Sequence, residues 1–432
     1  MQPVNIPLAD GARAWHLPDG RFKTSRLTAA LLLPLREETA SAYAVLPFLM
    51  RRGCAAYPDF SGFHRCLDEL YGARVNADVT RVGEAQVLML DIVSIDDRYT
   101  LSGEEVTARC ARLLYQMLFE PALEDGLFPA AALEQEKRCL IELIEAEVNN
   151  KRLYARQRCE RMLCRGEPYA VSRYGDAARV AALTPQAVTQ AWKRMLREAR
   201  IQLIVQSGSE AAAQAFREGL ERAGSRAPAD CTPATAFSPR AEVQRETQRM
   251  AVNQAKLVMG YRVGVVEPDG DVPAARLMNT LLGGTPSSLL FRNVREKQSL
   301  CYYCASTYDR IKGVLLVDSG VEEGRAAQAE AEIRRQVQAL RQGAFSDEDL
   351  EAARRALVNQ LLSAGDLQSS LASWYLGQSL QKIPAAPEQA AETVESVTRE
   401  RVTAAAQAMV EDSVYLLAGE QPPDEDNREK GA

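Results

Sequence analysis

The sequence predicts an α+β protein made from one unit used twice. Each copy reads as an antiparallel-rich sheet with helices packed on one face, the two copies enclosing a cleft. Three observations predict this: helical segments that recur at a fixed offset, apolar strand patterns at matching places, and a length of 432 residues, too long for one ordinary core.

The helical repeat is the most specific. "FPAAALEQEKRCLIELI" begins at Phe128 and "FSDEDLEAARRALVNQLL" at Phe345, an offset of 217. Each has Leu five residues on (Leu133, Leu350) and Glu six on (Glu134, Glu351). "LTPQAVTQAWKRML" from Leu183 and "VTRERVTAAAQAMV" from Val397 share Val-Thr five and six residues on, and each leads into a short apolar strand. The second pair is 214 residues apart, and recurrence at so nearly one period signals duplication. The front of each half agrees more loosely. "LTAALLLPL" and "AKLVMGYRVGVV" read as opening strands, followed by helices ending near Gly53 and near Gly283-Gly284. A further helix, a strand, a turn near Gly83 or Gly313 and a second strand come next. The reading places domains at 1–222 and 247–420, a linker rich in Ala, Pro and Ser at 223–246, and a polar tail at 421–432.

Composition excludes several functions. A net charge of −6 gives no electrostatic reason to expect nucleic acid. "LTAALLLPL" is far shorter than the roughly 20 apolar residues that cross a bilayer, so no membrane partner is expected. The first residues lack a basic start followed by an apolar run, and the nine cysteines show no framework spacing, which together point to a cytoplasmic protein with reduced thiols. Cys159 and Cys164 read as core filler. So do Cys301 and Cys304, which three-residue spacing in a strand would send to opposite faces.

The stretch "GGTPSSLLFRNVREKQSLCYY", residues 283–303, together with the duplication, resembles the insulinase/pitrilysin metallopeptidases, which include the mitochondrial processing peptidases. The likeness covers nearly the whole chain. Within that family it is similar to bacterial non-catalytic homologues known as elongation factor P 5-aminopentanol modification-associated proteins. The resemblance implies an inverted zinc motif, H-x-x-E-H, on the first long helix, with two His ligands one turn apart and a Glu that activates water. Counting back from Gly53, Ala44, Pro47 and Phe48 stand at those three positions, and Leu143 stands where a later acidic ligand belongs, between Glu142 and Glu145. None of the first three can bind zinc or accept a proton, so no metal and no cofactor are expected. Pro47 is expected to kink or begin the helix.

Nothing else in the chain offers a substitute. His16 and His64 are the only histidines, and each stands alone where catalytic zinc needs three converging ligands. There is no G-x-S-x-G elbow and no phosphate-cradling glycine loop. Ser287 and Ser288 read as caps of the helix that follows. Gly283 and Gly284 either permit close approach of a substrate backbone or mark a helix-terminus turn.

Arg295 and Tyr302 remain. In the insulinase-like family an Arg and a Tyr from the second domain reach the substrate, and the resemblance places these two residues in that role. A guanidinium and a phenol can both donate hydrogen bonds to a peptide carbonyl and to the oxyanion formed on attack. Read without the family, Arg295 makes a surface ion pair and Tyr302 fills a strand face. The resemblance implies a zinc-less subunit that grips an extended peptide and pairs with a zinc-bearing homologue, or with a second copy of itself. The alternative is a pseudo-peptidase scaffold or peptide-binding protein with no part in hydrolysis.

Overall fold

The computed structural model describes residues 3–232, 242–268, 270–381 and 384–420. Residues 233–241 of the expected linker and the whole expected tail from 421 lie outside the described residues. Contacts group the chain into two compact units: Met1–Glu145 with Val171–Pro233 and Leu362–Gln389, and Ala146–Ala170 with Ala234–Leu361 and Ala390–Ala432.

Among the described residues the first unit holds six strands: β1 (Val4–Ala9), β2 (Ala12–Leu17), β3 (Thr24–Pro34), β4 (Arg74–Val82), β5 (Ala85–Ile95) and β6 (Arg200–Gln206). They pair in the order β1-β2-β6-β3-β5-β4, antiparallel except for β2 with β6. Leu27, Ala29, Leu31 and Leu33 of β3 face a core shared with helices α1 (Glu37–Met50), α2 (Phe60–Glu69), α3 (Val106–Phe119) and α4 (Ala130–Ala146). Ala30 and Leu32, on the opposite face, are fully buried as well. Burial on both sides explains why β3 reads as a continuous apolar run rather than an alternating one. Part of the second covering comes from the C-terminal half: the helix Gln368–Leu376 receives a hydrogen bond from Gln206 Nε2 at Gln368 O (2.9 Å) and another from Thr24 Oγ1 at Gln368 Oε1 (2.7 Å).

The second unit holds β7 (Gln244–Arg249), β8 (Ala255–Arg262), β9 (Cys301–Asp309), β10 (Val314–Val321) and β11 (Val410–Ala418), in the order β7-β11-β8-β10-β9. That order, with its single parallel pair β7/β11, repeats β2-β6-β3-β5-β4 of the first unit. The duplicated helices repeat in detail. Leu133 and Leu350 are buried, and Thr184 and Thr398 each cap a helix, accepting from Ala187 N and Arg401 N.

One helix of the N-terminal half serves this second sheet. Helix α5 (Lys151–Leu163) lays Ala155, Cys159, Met162 and Leu163 on Val258, Leu316, Tyr415 and Leu417. Arg262 Nη2 donates to Leu163 O at 2.6 Å and ion-pairs with Glu167, fixing the end of the segment. Lys151 and Gln368, which open the two exchanged helices, are 217 residues apart, the offset of the repeat itself. The exchange is therefore reciprocal and belongs to the duplicated unit.

Candidate functional site

The three zinc-motif positions lie on α1, and all are buried: Ala44 at 0% exposure, Phe48 at 9%, Pro47 between them. The helix runs through Pro47, which does not begin it, and Arg51 N donates to Pro47 O at 3.0 Å. On α4, Leu143 is 46% exposed and Glu142 and Glu145 are exposed too. The acid that α4 turns inward is Glu136, at 4% exposure, and it ion-pairs with Arg52 (2.7 Å) and Arg51 (3.8 Å) from the end of α1. Protein guanidiniums thus supply the positive charge that this carboxylate needs once desolvated. His16 is buried on β2, its Nε2 2.9 Å from Ser207 O. His64 lies exposed against the Phe60 ring, while Phe63, Leu67 and Leu70 form the buried stripe of its helix. Among the described residues no group of three His, Cys, Asp or Glu is arranged to hold a metal ion.

The second-half residues are placed differently. Residues 280–284 and 291–297 are wound as wide π-helical turns, a geometry often found at functional sites. Gly283 is buried, and a Cβ there would stand 2.6 Å from Ser306 N and 2.8 Å from Ser306 Oγ. Its missing side chain lets this turn pack directly on β9, so the close approach it allows is to the protein's own strand. Gly284 is exposed, with only ordinary contacts around it. Ser288 Oγ is buried without a hydrogen-bond partner among the described residues, so it does not make the cap expected of it. Ser287 Oγ instead lies 3.1 Å from Thr285 Oγ1.

After that helix, Ser299 takes a left-handed φ of 51° and turns the chain into β9. Strand β9 pairs only with β10 and is the edge of its sheet among the described residues. Its first residues carry a bulge: Gly320 pairs with Tyr303 and Val321 with Cys301, leaving Tyr302 unmatched. Two consequences follow. Tyr302 is thrown outward, 57% exposed. Cys301 and Cys304 turn to the same side, both buried and hydrogen-bonded to each other, which corrects the expectation of opposite faces. That hydrogen bond draws the Cys301 thiol down against the effect of burial, with help from the charge of Arg295, and it pushes Cys304 up.

Arg295 therefore lies near the bulge. It is exposed, its guanidinium 4.3 Å over the Phe291 ring. The structure brings Arg295 and Tyr302 to one end of one edge strand. It leaves Ala44, Pro47 and Phe48 in a separate core. Sequence reasoning missed Tyr303, Arg152 and Lys256, which meet beside the start of α5 where the Tyr303 ring lies under both cations. Arg152 pairs with the buried Asp318 and lies 4.2 Å over the Tyr303 ring, and Lys256 Nζ lies 5.7 Å from the same ring. The run of basic residues in "KRLYARQR" was the available signal.

Comparison with known proteins agrees with this picture. A family model described as "Peptidase M16 inactive domain" matches residues 182–357. The chain is 30% identical to the "Probable inactive metalloprotease YmfF" of Bacillus subtilis (strain 168) over 414 residues, 95% of this chain and 96% of that protein. A conserved protein of Enterococcus faecalis V583 superposes with a TM-score of 0.89 at 24% identity, over 98% of this chain and 100% of the other. A peptidase M16 inactive domain from Pseudomonas fluorescens gives 0.77 at 17%, with the same coverage. The chain thus belongs to the M16, insulinase/pitrilysin, peptidase family, as a non-catalytic member that keeps the fold without the zinc motif.

Proposed function

We propose that this pseudo-peptidase binds an extended peptide along the open edge of β9 and lends Arg295 and Tyr302 to a zinc-bearing homologous partner. One observation carries the reading: both side chains are exposed at the bulged start of a strand whose outer edge pairs with nothing among the described residues. An unpaired edge offers a peptide main-chain hydrogen bonds, and neighbouring side chains supply selectivity. A guanidinium and a phenol placed there suit a peptide carbonyl or an oxyanion developing from it. Nine free thiols fit a reducing, cytoplasmic setting. No described helix is long and apolar enough to cross a membrane.

The scaffold reading has one contact in its favour, since stacking on Phe291 gives Arg295 a structural use. Mixing the chain with the nearest zinc-motif homologue of its own cell separates the two. The shared-site reading expects a complex whose peptide hydrolysis needs both chains, and in which Arg295→Ala or Tyr302→Phe lowers turnover by roughly 10- to 100-fold without loss of assembly. Unchanged turnover in both variants would assign the chain to a scaffold. Self-association without a hetero-complex would point to a second copy as the partner.

A further inference from the structure

Beside the start of β9 is a cavity of about 640 Å³ whose lining is cationic and amidic. Asn149, Asn150, Lys151 and Arg152 line it at the start of α5, Asn253 on the approach to β8, and Lys256 on β8 itself. None of the residues lining it is acidic, although the chain as a whole carries a net charge of −6. Arg152 has its own counter-ion in Asp318. Among the described residues neither lysine has a carboxylate partner: Lys256 Nζ lies 3.5 Å from Gln254 Oε1, and Lys151 Nζ lies 3.0 Å from Met250 Sδ.

Half-buried cations that face one space without an opposing charge pay for it electrostatically. Lys256 is pushed down first by burial and then by the charge of Arg152. The Tyr303 ring, beneath both cations, offsets part of this. A bound anion would offset the rest, and the asparagine amides can donate to its oxygens. The space exceeds what one small inorganic ion needs and falls in the range of organic-ligand sites. Tyr303 also ties it to Tyr302, the next residue on the edge strand.

We infer that this cavity is a carboxylate subsite for the peptide bound along β9, taking either its C-terminal carboxylate or an Asp or Glu side chain. The inference rests on the peptide-binding reading above and names what that peptide must carry. It is tested on the full chain by fluorescence anisotropy with three pools of N-terminally labelled octapeptides, randomised over uncharged residues at the other positions. One pool has a free C-terminus and no acidic residue, one is C-terminally amidated with a single Glu, and one is amidated with Gln in its place. At least one carboxylate pool should bind roughly tenfold tighter than the neutral pool, and which one does so tells the two carboxylate sources apart. Lys256→Gln and Lys151→Gln should each remove that advantage, whereas Arg161→Gln, an exposed site on the same helix, should leave it intact. Arg152 is left in place because its loss would strand Asp318.

Equal binding of charged and neutral pools would overturn the subsite and leave peptide binding standing. An advantage that survives both lysine variants would overturn it too. Failure of every pool to bind would overturn the peptide reading itself. If inorganic pyrophosphate alone then protected Lys256 from acylation, the cavity would belong to a phosphate-bearing ligand.

Discussion

Helix α1 and the start of β9 carry the two sets of positions that the family resemblance singles out, and this chain treats them oppositely. At α1, Ala44 and Phe48 are 0% and 9% exposed and have become core. At β9, Tyr302 is 57% exposed, and Arg295 stands exposed close by. Side chains that cannot bind a metal have here been absorbed by packing. A large phenol held in water by a bulge gains no such packing, which points to a use outside the folded chain.

The most forceful way to break the comparison is to rebuild the motif. Ala44→His, Pro47→Glu and Phe48→His together should cost more than about 4 kcal/mol, because three polar groups would enter a closed core without partners. Thermal unfolding and zinc content measure the outcome. A folded variant carrying stoichiometric zinc would show that α1 is less committed to packing than it looks.

Acid sharpens the polar side of the contrast. Burial alone would raise Glu167, but hydrogen bonds from Arg262 and Lys312 outweigh it and hold the carboxyl below its ordinary 4.5. A depressed carboxylate contributes in full above its unfolded value and loses that contribution as pH falls through the folded one. The second unit should therefore weaken below about pH 4.5. Glu167→Gln should cost about 3 kcal/mol at neutral pH, since it removes the charge that pairs with both Arg262 and the 1% exposed Lys312. Urea titrations of both proteins at pH 7 and pH 4 would show whether the gap between them narrows in acid.

Gly283→Ala comes next. Its Cβ would meet backbone at 2.6 Å, and roughly 1–3 kcal/mol should be lost as the turn is driven off β9. Amide exchange of β9 residues would report that displacement directly. The smallest effects belong to Tyr302→Phe and Arg295→Ala, each within about 0.5 kcal/mol of wild type in the isolated chain. A large loss of stability in either would mean that the exposed pair is structural after all.

The sequence announced the duplication because helix starts and buried stripes are local features: Thr184 and Thr398 cap, and Leu133 and Leu350 point inward, wherever the helices go. It did not reveal the exchange of α5 and Gln368–Leu376, because an apolar stripe such as Ala155, Cys159 and Met162 does not name the sheet it will meet. The alternation rule failed at Cys301 and Cys304 because one extra residue, Tyr302, resets the period within a single turn of chain. The cationic cavity was hidden for a related reason. Lys151 and Lys256 are far apart in sequence, and only the exchanged helix brings them to one space.

That exchange also shapes the birth of the protein. Helix α5 packs against Tyr415 and Leu417 of β11, which emerges from the ribosome about 250 residues later, a wait of roughly 12–50 s at ordinary rates of synthesis. Strands β8 and β10, which supply Val258 and Leu316, follow roughly 100 and 160 residues after α5, so the apolar stripe has no sheet to cover at first and only part of one until β11 is made. The nascent chain must carry it exposed, which makes this helix a natural client for a chaperone and the N-terminal half a poor candidate for expression alone.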